Sequence, residues 1–133
     1  MLIFDITTIY VGVCLPKIAR QFNFANLEKP SHGGYVINSK GKAFHTKLPE
    51  INNVSSGFSF GEGDEISVWI DFASRTVNFC KKGKIKDSLY SMDLALEDKF
   101  MYKLRGFVAF GGEKGAKVMI LPLEEPPMKK KKK

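Results

Sequence analysis

Gly61-Glu62-Gly63-Asp64-Glu65-Ile66-Ser67-Val68-Trp69-Ile70-Asp71, followed at once by Arg75-Thr76-Val77-Asn78-Phe79-Cys80-Lys81-Lys82-Gly83-Lys84, decides the fold class. Ile66, Val68 and Ile70 alternate with Ser67, Trp69 and Asp71, the period of a strand with one face in a core. Val77 and Phe79 oppose Asn78 and Cys80 in the same way. Turn chemistry bounds both runs. Gly61 and Gly63 are expected to supply positive φ where the chain bends into the first strand, and Asp64 to cap free backbone N–H groups there. Asp71 is expected to close the strand likewise, and Lys82-Gly83 to form a turn with glycine at its left-handed position. Gly61, Gly63, Asp64 and Asp71 are read as frame rather than as ligand contacts.

The two-residue period extends outward in both directions. Tyr10 to Cys14 reads as a strand. Tyr35-Val36-Ile37 is followed by a turn over Asn38 to Lys42, and Ala43-Phe44-His45 returns. Phe107 to Phe110 and Val118 to Leu121 are short continuous apolar runs. The best helical candidate, Leu89 to Phe100 around Leu94-Ala95-Leu96, supplies a turn or two at most. Strands about 8–12 residues apart with turn signals between them indicate an all-β sandwich or barrel. After Leu121 the composition shifts to proline, glutamate and then lysine, so 1–121 is read as one domain and 122–133 as a disordered tail.

Length, charge and cysteine usage narrow the class. A chain of 133 residues with 44% hydrophobic and 26% charged residues suits one globular domain. It has no apolar run long enough for a membrane helix, and its start does not read as a signal peptide. The net charge of +7 divides unevenly: with Lys129–Lys133 set aside from the 21 bases, 16 face 14 acids. A nearly neutral domain thus carries a basic tail. Three readings of that tail stand open: contact with nucleic acid or anionic lipid, a nuclear-targeting signal, or plain solvation. Cys14 and Cys80 lie in strand-like runs and read as buried, reduced thiols of an intracellular, cytoplasmic or nuclear protein.

Ser56-Gly57-Phe58-Ser59-Phe60 through Asp64-Glu65-Ile66, Trp69-Ile70-Asp71, and Thr76-Val77-Asn78-Phe79 to Lys84 together resemble the centre of a SPRY domain. The spacing of these three pieces matches as well as the residues do. Lys82 stands where the family usually has asparagine. Gly106 to Gly112 and Val118 to Leu121 look like the closing strands of that family, Tyr10 to Cys14 and Gly34-Tyr35-Val36 like earlier ones. The likeness covers about residues 9–121. Phe4-Asp5-Ile6 fills the first family strand only loosely and no PRY segment precedes it, as in a minimal module or a fragment of a larger protein. The resemblance implies an antiparallel β-sandwich of SPRY or concanavalin-like jelly-roll type. It also implies non-catalytic recognition of a protein or short peptide through loops at one end, as in the partner-selecting part of ubiquitin-ligase adaptors or scaffolds.

Catalytic chemistry has little to stand on. His32 and His45 have no nucleophile motif nearby and read as isolated surface histidines. Glu62, Asp64 and Glu65 read as turn caps and solvated charge, and scattered cysteines and histidines make no metal site. No enzyme activity, cofactor or metal is expected, and the isolated domain is expected to be monomeric. The pocket residues the resemblance implies are Phe24 and Leu27 in the loop before Gly33, with Phe110, Gly111 and Gly112 from the closing hairpin. Phe24 either binds a partner or plugs the sandwich end. Phe22, Phe44, His45 and Trp69 are weaker candidates, Trp69 being a hot spot if its face is open and core if it is covered. The rival readings are electrostatic binding through the lysine tail and a carbohydrate-binding sandwich.

Overall fold

A computed structural model describes residues 8–21 and 32–111. The elements run β1 (Thr8–Cys14), α1 (Pro16–Gln21), β2 (Gly34–Asn38), β3 (Lys42–His45), β4 (Val54–Ser55), β5 (Ile66–Asp71), β6 (Thr76–Lys81), β7 (Ser88–Asp93), α2 (Asp98–Met101) and β8 (Arg105–Gly111). Every strand pair among the described residues is antiparallel. One sheet has five strands in the order β4-β3-β2-β1-β8, the other three in the order β5-β6-β7. The fold is all-β, as the alternation requires.

That alternation also sets how the sheets meet. Val68 pairs with Phe79 and Phe79 with Tyr90, while Ile70 pairs with Val77 and Val77 with Met92, so these six share one face. They pack against Val13, Tyr35, Ile37 and Ala43 of the larger sheet, with Leu94, Leu96, Met101 and Leu104 completing the cluster. The larger sheet buries its second face too, through Cys14, Val36, Phe44 and Phe107 with Ala19 of α1. β2, between them, is therefore buried at every residue. Gly12 lies opposite both Val36 and Phe107. A Cβ there would meet the Tyr35 carbonyl oxygen at 2.1 Å and Val36 Cα at 2.7 Å. Only glycine admits that approach.

The turn of helix expected within Leu89 to Phe100 lies at its far end: β7 runs to Asp93, and only Asp98–Met101 forms α2. Met92, Leu94 and Leu96 are buried while Ser91, Asp93 and Ala95, which alternate with them, are exposed, a period of two rather than 3.6. The β6–β7 connection is not a tight Lys82-Gly83 turn. Pairing ends at Lys81 with Ser88, leaving a six-residue loop, Lys82–Asp87. Gly83 is not left-handed there. Its N–H donates to Asp87 Oδ1, and a Cβ would strike the Lys86 carbonyl at 1.9 Å. In the turn before β5 only Gly63 takes positive φ, at 84°, not Gly61. The expected caps are present: Gly61 N–H donates to Asp64 Oδ2, and Ala73 and Ser74 N–H to Asp71 Oδ1.

α1 was not foreseen. Pro16 opens it at the first helical position, where a missing N–H costs nothing, and Ala19 N–H donates back to the Leu15 carbonyl. The expected strands at Phe4–Ile6 and Val118–Leu121, and the tail 122–133, lie outside the described residues. No helix among the described residues is long and apolar enough to cross a membrane.

Candidate functional site

β1 gives the molecule two ends. Thr8 pairs with Gly111, whereas Cys14 pairs with Gly34 and Arg105. Seven residues separate these pairings by roughly 20 Å. The second sheet is aligned with the first by hydrogen bonds at both ends. At the Cys14 end, His45 Nε2 donates to the Asp93 carbonyl at the close of β7. At the Thr8 end, Lys81 Nζ donates to the Ser59 carbonyl, Phe60 N–H to the Ser39 carbonyl and Ser39 N–H to the Ile9 carbonyl.

Phe22, Phe24, Leu27 and Gly112 lie outside the described residues. The segment carrying the first three starts after Gln21 and ends before His32, both at the Cys14 end. Phe110 pairs with Ile9 and Gly111 with Thr8, toward the other end.

Phe44 and His45 are corrected as rim candidates, being only 2% and 1% exposed. Phe44 packs on Tyr10 with ring centroids 5.7 Å apart. His45 stands edge-on to Tyr35 at 4.8 Å. His32 is buried as well, so neither histidine is a surface residue. Both are structural. His45 Nδ1 accepts the backbone N–H groups of Lys47 and Leu48, each at 3.0 Å, which fixes the proton on Nε2. His32 Nδ1 accepts Gly34 N–H at 2.9 Å, and its Nε2 donates to Asn52 Oδ1. Asn52 Oδ1 also accepts His45 N–H, tying the 46–53 loop to β3. Burial pushes both imidazole pKa values below the ordinary range, with hydrogen bonds to Asn52 and Asp93 opposing it in part.

Both thiols are buried, and burial raises their pKa values, so neither is an activated nucleophile. Trp69 faces away from the core, opposite Asn78 and half-buried, beside a chain of polar contacts. In that chain Ser91 Oγ donates to Asn78 Oδ1, Asn78 Nδ2 to Thr76 Oγ1, and Thr76 meets Ser74 Oγ at 2.8 Å.

The surface the sequence did not announce lies at the Cys14 end. There the β5–β6 turn and α2 are clasped twice. Arg75 Nε donates to Asp98 Oδ1 at 2.8 Å, and the Phe72 and Tyr102 rings meet at 5.1 Å. Phe72 is 47% and Tyr102 71% exposed, and the Phe100 ring is flanked by Lys99 and Lys103 at 5.2 and 5.9 Å. Beside the clasp opens a cleft of about 470 Å³ lined by Ser74, Arg75, Asp93, Ala95, Leu96, Glu97 and Asp98. Arg75 and Ala95 hold left-handed φ of 57° and 54°, conformations that cost a non-glycine residue about 1–3 kcal/mol. The hydrogen bond that Arg75 donates to Asp98 raises the Arg75 pKa further, so that guanidinium is a permanent charge. Exposed rings offer apolar anchorage here, while guanidinium and carboxylates offer donors and acceptors to a polar chain. Among the described residues no group of three His, Cys, Asp or Glu side chains is placed to hold a metal ion.

Comparison with protein-family models, with curated proteins and with solved structures finds no match to this chain.

Proposed function

We propose that this chain is a SPRY-type β-sandwich serving as a non-catalytic protein-recognition module of the cell interior, monomeric by itself. It takes a short peptide or protein surface at the end formed by the β5–β6 turn and α2. In a larger assembly such a module selects the partner or substrate of a ubiquitin-ligase adaptor or a scaffold. Support for the family comes from the Gly-Asp-x-Ile entry at Gly63–Ile66, the Ile70-Asp71 exit and the Thr76–Phe79 strand at their family spacing. Support for recognition rests above all on one observation: exposed Phe72, Phe100 and Tyr102 stand beside a mixed-charge cleft held by strained backbone. Partly exposed aromatics next to fixed polar groups are what interfaces use as anchors. The segment bearing Phe24 and Leu27 is bracketed at this same end and is proposed to contribute to the surface.

Selection of a displayed random-peptide library on the immobilised chain, followed by calorimetry with the enriched peptide, tests this reading. Phe72→Ala/Tyr102→Ala, checked for folding, is expected to weaken binding by tenfold or more. Enrichment of no peptide, or a peptide whose affinity ignores both rings, would sink it.

A further inference from the structure

At the opposite end the β6–β7 loop presents a different surface. Lys82-Gly83-Lys84-Ile85-Lys86-Asp87 projects beyond the last pair of its hairpin, Lys81 with Ser88. Ile85 at its tip is 96% exposed, the most exposed large apolar side chain among the described residues. Lys82, Lys84 and Lys86 surround it, all exposed, with Lys81 at the foot of the loop and Lys40 exposed on the neighbouring hairpin. The acids at this end are Glu62, Asp64, Glu65 and Asp87. Two of them are engaged by backbone donors, Asp64 by Gly61 N–H and Asp87 by Gly83 N–H. No ion pair among the described residues ties up any of these lysines.

We infer that this loop is a docking element for an anionic lipid bilayer, with Ile85 entering the headgroup layer and Lys82, Lys84 and Lys86 meeting lipid phosphates. Two features favour a bilayer. The apolar tip stands clear of the fold, with Ile85 96% exposed, as a side chain that inserts into a fluid interface must. The charge ringing the tip is positive, complementary to anionic lipid. Nothing aromatic stands among the loop lysines for bases to stack on, which disfavours nucleic acid.

The test is co-sedimentation of the full chain with vesicles of phosphatidylcholine alone and of phosphatidylcholine mixed with phosphatidylserine, in rising salt. Binding is expected only to the mixed vesicles and to weaken with salt. Ile85→Ser is expected to weaken it about tenfold, from lost apolar burial. Each of Lys82→Gln, Lys84→Gln and Lys86→Gln is expected to weaken it about fivefold. These side chains are exposed, and circular dichroism confirms that each variant folds. No binding to the mixed vesicles overturns the inference. So does binding that ignores Ile85 and vanishes only when the chain ends at Met128, which assigns it to the tail. Equal or tighter binding to a single-stranded oligonucleotide, independent of Ile85, overturns it in favour of nucleic acid.

Discussion

The two ends of the molecule are closed by the same kinds of connection, yet they spend their residues differently. At the Thr8 end the left-handed positions are glycines, at Gly41, Gly57 and Gly63. At the Cys14 end, Gly33 aside, the left-handed positions are Asn53, Arg75 and Ala95. Beneath them lie the buried His32 and His45, joined through the half-buried Asn52 into a polar network with fixed tautomers. One end is a set of relaxed turns around an exposed charged loop. The other is strained and held from within. Strain and buried polar groups persist where surrounding structure over-determines them, and such places tend to be functional.

The largest expected effect breaks the comparison from within. His45→Ala removes the acceptor for Lys47 and Leu48 N–H, the donor to the Asp93 carbonyl and the ring packed on Tyr35. A loss of about 4 kcal/mol in chemical denaturation is expected. Lys84→Ala at the other end is expected to change stability by less than about 0.5 kcal/mol. Equal effects would erase the distinction.

Next comes pH. Both histidines have folded pKa values below the ordinary 6.5, so the unfolded chain takes up protons first as acid is added. Their contribution is complete above about pH 6.5 and declines below it, by up to about 1.4 kcal/mol per pH unit for each histidine. Denaturation series at pH 7 and pH 5.5 check this, and a flat profile contradicts the buried network.

Two smaller effects have unusual signs. Tyr35 is fully buried and its hydroxyl has no partner among the described residues, so Tyr35→Phe is expected to stabilise by about 1 kcal/mol. Ala95→Gly is expected to stabilise by up to about 1 kcal/mol through relief of left-handed strain, while Gly63→Ala destabilises by a similar amount. Thermal unfolding of the three variants measures both. Ala95→Gly destabilising the fold would remove the strain argument.

The sequence made the strands legible where one face meets the core, because alternation reports burial directly. Ile66 to Asp71 and Thr76 to Cys80 are the clearest cases. It misled at Leu94-Ala95-Leu96, where a helix-like triplet masked the period of two running through Met92, Leu94 and Leu96. α1 offered only Pro16 as a signal, and two-residue β4 offered none. The site was less legible for a physical reason. Arg75 meets Asp98, Phe72 meets Tyr102, and His45 meets the Asp93 carbonyl, pairs brought together only by folding. A histidine with distant partners looks, in a sequence, like a histidine on the surface.

The central claim is that recognition belongs to the strained end. The most direct test is a nitrogen-15 NMR titration of the chain with a peptide selected on it. Shift changes are expected only at Asp71–Thr76, at Asp93–Arg105 and in the segment bearing Phe24 and Leu27, with Lys81–Ser88 and the Thr8–Gly111 pairing unmoved. Changes centred on Lys81–Ser88 would contradict it.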